Sequence, residues 1–433
     1  MSAEQFSYEY WLGANEMKYG GPGVSRSERP RATISRARAV LDTIGVTKVA
    51  DVTDLDRVGI PVFMTVRPHD LGRGISYYYG KGKTRADAYA GALMEAVERH
   101  AGERFDGSIT TASHYNLRRH HTCVDPLEIH VPTVCNYSEN LRLDWVLGFD
   151  LVTRRPTYAP LNCVVAPYIP SDGMPLFFSS TNGLASGNTR LAALSHALCE
   201  VIERDASALQ MTRADLRPAV AALLADMGFD DEALPKRDDP PLISLRGLPR
   251  PAAKLVHKLQ RAGLEVQLRD LTSTTGIPTI ECTITDRQGP PDHVNAHSGC
   301  GTHPDAIIAL TRALTEAAQT RLGFIQGGRE DLPDFATTNR ALPAETQNRV
   351  ISFRDIASYH HPTVNEDVEF IIERMRHAGF DQVVAFDITR TEVGLPVVRV
   401  VAPRAEAWTF YLMHGGRASL GRRTLREIEG ACR

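Results

Sequence analysis

The stretch GNTRLAALSHALCEVIERD, residues 187–205, decides how the chain is read. A Gly-Asn turn leads into strong helix formers with Ala and Leu at helical spacing. Near the far end stand Glu200, Glu203 and Arg204. The two glutamates are three residues apart, so a helix projects both carboxylates from one face. Like charges so placed repel unless a cation sits between them.

The same pattern occurs on either side. Gly80-Lys81-Gly82 leads into KTRADAYAGALMEAVERHAGER, and Gly299-Cys300-Gly301 leads into THPDAIIALTRALTEAAQTRLGF. Each helix carries Ala-Leu-x-Glu at its middle: Ala92-Leu93-x-Glu95, Ala197-Leu198-x-Glu200 and Ala313-Leu314-x-Glu316. The first two continue to Glu98-Arg99 and Glu203-Arg204, whereas the third has Gln319 in place of the second acid. Ala at regular spacing lets helices approach closely. Three such helices are expected to pack together and aim their acidic ends at one point.

A second unit also recurs. It runs helix, Gly, strand, Asp-hydrophobic-Thr, turn, Gly-hydrophobic-Pro, strand. The copies are Gly45, Asp51-Val52-Thr53, Gly59-Ile60-Pro61; Gly263, Asp270-Leu271-Thr272, Gly276-Ile277-Pro278; and Gly379, Asp387-Ile388-Thr389, Gly394-Leu395-Pro396. Each first Gly suits a left-handed helix cap, and the β-rich runs around each loop read as antiparallel strands. The fold class expected is α/β (α+β), built from repeated helix–strand–hairpin units.

Composition bounds the function. The 433 residues suffice for a large core, and 42% hydrophobic with 23% charged is ordinary for a globular protein. A net charge of −3, without long Lys or Arg runs, argues against nucleic acid as partner. No apolar stretch approaches the roughly 18 residues that span a bilayer. The N-terminus lacks a basic start and apolar run, so a cytoplasmic protein without membrane association is expected. Seven scattered cysteines form no C-x-x-C pair and read as reduced thiols. His293, His297, Cys300 and His303 cluster, but their spacing fits no familiar four-ligand zinc pattern.

The Glu pairs have two readings. One is solvated helix faces. The other is a magnesium site, because Mg²⁺ takes oxygen ligands and is held by a few carboxylates plus phosphate oxygens. Flanking Leu93, Val97, Leu198, Val201 and Ile202 place the pairs on buried helices, where unpaired carboxylates are costly; this favours metal. The glycine turns, Lys81 included, are candidate phosphate contacts, although GKGK lacks P-loop spacing. Arg99, Arg204 and Arg312 could bind phosphate or simply neutralise a nearby Glu.

Three motifs together resemble the YcaO family, whose members activate peptide backbone amides with ATP. They are Gly91-Ala-Leu-Met-Glu95-Ala-Val-Glu98-Arg99; Ser180-Thr-Asn182-Gly183 followed by Glu200-Val-Ile-Glu203-Arg204; and Arg312-Ala-Leu-Thr-Glu316-Ala-Ala-Gln319. The resemblance implies a YcaO-type fold in which three Ala-rich helices converge on an ATP and Mg²⁺ site. Glu95, Glu98, Glu200 and Glu203 would be the catalytic Mg²⁺ ligands. ATP contacts would be Arg26, Thr33, Lys81, Asn188, Arg204, Arg312, Glu316 and Gln319, with Arg26 and Thr33 matching a basic residue and a hydroxyl seven positions later in relatives. The chain departs from the family at Gly91, where the first motif has Ser; at Ala185; and at Ala192, where relatives often carry an acid.

On this resemblance residues 1–25 are an N-terminal extension and 26–420 a YcaO domain with sub-lobes 26–230 and 252–420. Residues 421–433 are a tail that lacks the Pro-x-Pro-x-Pro of azoline-forming members; the last proline is Pro403. The segment ISYYYGKGKTRADAYAGALMEAVERHAGER resembles the thioamide-forming branch, including methanogen members. That branch implies a peptide or protein substrate, with sulfur from a TfuA-like partner or another donor. A sulfur nucleophile adds to the amide carbonyl, the oxyanion takes the γ-phosphoryl group, and phosphate leaves a thioamide. Azoline or amidine formation is the alternative within the family; a non-catalytic peptide-binding scaffold is the alternative outside it. A homodimer is expected.

Overall fold

The computed structural model describes residues 3–20, 23–129, 137–170, 176, 179–226, 239–289, 295–328 and 349–407, without the side chains of 3–4 and 211–226. His293, most of the connection at 327–348, and the tail 421–433 lie outside the described residues.

The chain begins with helix α1 (Tyr8–Leu12). The first unit follows: α2 (Pro30–Arg38), strands β1 (Lys48–Asp51), β2 (Val62–Val66) and β3 (Tyr77–Lys81), and helix α3 (Arg85–Gly102). Next come β4 (Ile109–Ser113), α4 (His114–Leu117), β5 (Arg142–Asp150) and β6 (Arg155–Pro160). Strand β7 (Leu184–Ser186) enters the long helix α5 (Arg190–Asp226). Then come β8 (Leu242–Ile243), α6 (Arg250–Arg261), β9 (Glu265–Asp270), β10 (Thr279–Thr285), β11 (Ala296–Thr302) and α7 (Ala306–Gln326). The chain continues through β12 (Val350–Ile351), α8 (Val364–His377), β13 (Val384–Asp387) and β14 (Val397–Val401). None of the described helices is long and apolar enough to cross a membrane.

The recurring loop is a repeated structure. Gly45, Gly263 and Gly379 all take positive φ before a strand, and so do Gly59, Gly276 and Gly394 in the return turn. In each copy the Asp side chain accepts the backbone N–H two residues on: Asp51 from Thr53, Asp270 from Thr272, Asp387 from Thr389. The strand registers agree as well, with Asp51 opposite Phe63, Asp270 opposite Ile280 and Asp387 opposite Val398.

A third antiparallel strand completes each hairpin and feeds an Ala-rich helix. Sheet β1-β2-β3 leads to α3, and β9-β10-β11, within a five-stranded sheet, leads to α7. In the six-stranded sheet β13 and β14 pair with β7, which precedes them in the chain and leads to α5. The third unit is thus split: its strand and helix lie mid-chain and its hairpin near the end. Helices α2, α8 and α6 pack on α3, α5 and α7 respectively.

Equivalent strand positions are small. Gly80, Ala185 and Gly301 lie opposite Phe63, Val398 and Ile280. A Cβ on Gly80 would fall 1.9 Å from the Ala92 nitrogen, and one on Gly301 2.1 Å from the Ala309 carbonyl oxygen. These two glycines sit in strands rather than in phosphate-binding turns; their bareness lets each helix lie against its sheet. From these positions the first Glu follows at one constant interval: 80 to 95, 185 to 200, 301 to 316.

Candidate active site

The three helices are tied to one another where their acidic residues meet. From β7, Ser186 donates its N–H to Glu98 of α3 at 3.0 Å, and its hydroxyl to the Met94 carbonyl at 3.0 Å. Arg312 of α7 donates to His196 Nε2 of α5 at 2.9 Å. Lys81 at the end of β3 pairs with Glu316 of α7, and Glu316 also accepts the Cys300 N–H at 3.3 Å.

The acids fall into two groups. Glu98 is buried, and burial together with the charges of Glu95 and Glu200 raises its carboxyl well above the ordinary value. Glu200 is raised by burial and by Glu95, against the opposing pull of Arg204. In the second group, burial and the Glu316 charge push Glu203 up to about 7. Burial acts the same way on Glu316, but Lys81 and Arg204 outweigh it and hold that carboxyl low. Arg99 pairs with Glu95 at 2.9 Å and Arg204 with Glu200 at 3.7 Å, each one turn along its own helix. Gln319 follows Glu316 by one turn and is partly buried.

The N-terminal side of the site is brought by residues 3–20 and 23–26. Trp11 and Leu12 are buried in the core beneath α5 and α8. Asn365 of α8 donates to the Leu12 carbonyl at 3.0 Å, and buried Asp367 pairs with Lys18 at 2.5 Å. Gly23 N–H meets Asp305, the N-cap of α7, at 2.7 Å. This segment delivers Arg26, 3.4 Å from Asp87, and then Thr33, whose hydroxyl accepts from Asn188 at 2.8 Å. Thr33 and Asn188, far apart in sequence, are thus brought together.

Sequence reasoning missed two residues. His196 reads as an ordinary helix residue until Arg312 is seen against it. Arg399 of β14 is buried and donates to the Cys163 carbonyl at 2.9 Å and the Ser180 carbonyl at 2.6 Å, fixing the loop that leads to Asn182. Burial pulls its guanidinium down to about 10. On β11, buried His297 leans on the Phe324 ring.

The donor set fits a magnesium–nucleotide ligand. Glu203 Oε2 and Asn188 Oδ1, both acceptors, and Arg312 Nε, a donor, are buried without a hydrogen-bond partner. Such groups are costly unless a ligand meets them, and this set calls for both a cation and an anion. Among the described residues no three His, Cys, Asp or Glu side chains form a group that alone would hold a metal. Mg²⁺ is commonly bound by one or two carboxylates plus phosphate oxygens.

The sequence model described as YcaO cyclodehydratase, ATP- and Mg²⁺-binding, matches residues 79–406. The chain belongs to the YcaO family. Its cofactors are ATP and Mg²⁺, and the family comprises ATP-dependent peptide-modifying enzymes. This YcaO chain is 35% identical to a protein of Methanothermobacter thermautotrophicus over 395 residues, 88% of this chain and 95% of that one. It is 29% identical over 435 residues to a Rhizobium leguminosarum bv. trifolii protein described by its place in the tfuA 3' region, covering 96% and 97% of the two chains. Among solved structures, YcaO from Methanopyrus kandleri bound with AMPPCP and Mg²⁺ matches with TM-score 0.68 and 28% identity, over 91% of this chain and 94% of that one. A heterocyclase in complex with substrate and cofactor shares the fold at TM-score 0.74 and 20% identity; the match covers 91% of this YcaO chain but only 54% of the heterocyclase.

Proposed function

We propose that the chain activates a backbone amide of a peptide or protein by ATP-dependent O-phosphorylation and, with an external sulfur donor, converts it to a thioamide. The observation that carries the phosphorylation reading is the pair of acid groups, Glu95/Glu98/Glu200 and Glu203/Glu316, in which burial, reinforced by the neighbouring carboxylates, raises Glu98 and Glu203. Glu95, Glu98, Glu200 and Glu203 would hold Mg²⁺. Arg26, Thr33, Lys81, Asn188, Arg204, Arg312, Glu316 and Gln319 would hold the nucleotide. When bound, Mg²⁺–ATP supplies an electrophilic phosphoryl group that turns the amide oxygen into part of a leaving phosphate. The carboxylates fix the cations beforehand, and the guanidiniums of Arg204 and Arg312 offset charge on the phosphates; such prepaid positioning is the main protein contribution to phosphoryl transfer.

The thioamide product is supported by the end-to-end likeness to the protein of the tfuA 3' region, and a TfuA-like protein is accordingly the proposed partner. The cyclodehydratase description of the family supports a second reading, azoline formation with a Ser, Thr or Cys of the substrate as nucleophile. Mass spectrometry of a modified substrate separates the two: exchange of oxygen for sulfur raises the mass, and loss of water lowers it. A homodimer in the cytoplasm belongs to the same proposal. The activation step is tested by Glu200→Gln, which should fold normally and lose peptide-dependent ATP hydrolysis; undiminished turnover would remove the metal assignment.

A further inference from the structure

The residues one turn before the first Glu of each helix are equivalent: Gly91, His196 and Arg312 precede Glu95, Glu200 and Glu316 by the same interval. Two of them touch, since Arg312 Nη2 donates to His196 Nε2 at 2.9 Å. A guanidinium has donors only, so Nε2 must offer its lone pair, and the imidazole proton resides on Nδ1. Burial, reinforced by the charges of Arg312, Lys81 and Arg26, holds the ring well below its ordinary pKa, so it stays neutral. Those three cations are among the residues assigned above to the nucleotide. Arg312 Nε remains buried and unpartnered, and Ala192, one turn before His196, offers no acid for Arg312 to pair with.

We propose that His196 is a positioning residue for the nucleotide: its neutral Nε2 anchors one arm of the Arg312 guanidinium and leaves the other donors for the phosphates of ATP. A carboxylate here would hold Arg312 too, but would cancel its charge and repel the phosphates. Neutral imidazole fixes the fork and leaves its charge intact. The proposal rests on the nucleotide reading of the site.

The test is titration of the full chain with AMPPCP and Mg²⁺, in a double-mutant cycle of His196→Ala and Arg312→Ala. His196→Ala should weaken binding about tenfold, the scale of one hydrogen bond to a charged group. The double variant should bind no more weakly than Arg312→Ala alone. His196→Gln, whose amide oxygen can stand where Nε2 stands, should restore most of the loss; His196→Asn should not. Thermal midpoints measured beside the titrations should differ little between Gln and Asn, which separates positioning from folding. Additive losses in the cycle, or equal affinities for Gln and Asn, overturn the proposal while leaving the nucleotide site standing. A wild-type chain that binds no AMPPCP overturns both.

Discussion

Lys81, on the strand before α3, forms an ion pair with Glu316 of α7, so charge joins strand β3 to helix α7 inside the site. The ammonium lowers Glu316, while the neighbouring Glu203 is left raised. The same constellation, one carboxylate neutralised and one not, gives the site an unmet demand for a cation.

Lys81→Met should expose that repulsion. With the cation gone, Glu203 and Glu316 face each other in a partly buried space. Loss of one partner from a pair of this exposure should cost about 1–3 kcal/mol, between the surface and fully buried cases. Urea unfolding at about pH 8 measures it, and an unchanged midpoint would refute the coupling.

Glu203 also sets a pH dependence in the nucleotide-free protein. Its folded pKa is about 7 against an ordinary 4.5. Below the lower value the carboxyl is protonated in both folded and unfolded chains and carries no penalty. As pH rises through the interval the unfolded chain ionises first, so this contribution to stability is lost by the time pH passes about 7. Glu203→Gln should flatten that slope and stabilise the nucleotide-free chain at about pH 8 by on the order of 1–3 kcal/mol. Thermal unfolding across pH with both proteins checks it; parallel curves would contradict it.

Two glycines near each other should behave oppositely. A Cβ on Gly80 meets the Ala92 backbone at 1.9 Å, whereas one on Gly91 finds its nearest atom, the Gly80 Cα, at 3.4 Å. Overpacking against backbone should make Gly80→Ala destabilising by about 3 kcal/mol or more. Gly91→Ala, in a helix interior with room for the methyl, should stabilise by roughly 0.5–1 kcal/mol. Denaturation of the two variants decides, and similar effects would mean that strand and helix are not packed as described.

The N-terminal segment should matter for both stability and nucleotide. Trp11 is 2% exposed, and Trp11→Ala should cost about 3–5 kcal/mol. Because the segment runs directly into Arg26 and Thr33, AMPPCP affinity should fall with it under conditions where the variant remains folded. Native affinity in a folded Trp11→Ala protein would separate the segment from the site.

The Ala-rich helices and their Glu pairs were legible in the sequence because helical periodicity and three-residue spacing are local properties. So were the hairpins, since left-handed Gly and an Asp accepting the N–H two residues on are set within a few residues. The split third unit was not, because β7 pairs with β14 across a long stretch of chain and no local pattern encodes that partner. Residues 1–25, read as an extension, hold Trp11 and Lys18 against α8, a contact only the folded chain creates. His196 was missed for a related reason: a lone histidine on an apolar helix acquires meaning only from the Arg312 that faces it.

The most direct measurement is calorimetric titration of AMPPCP into the wild-type chain and Glu200→Gln, each with and without Mg²⁺. The expected result is Mg²⁺-dependent binding by the wild type that weakens at least about tenfold, a change of about 1.4 kcal/mol, in Glu200→Gln. Binding of equal strength in both proteins, or binding indifferent to Mg²⁺, would contradict the assignment of these carboxylates to a metal–nucleotide site.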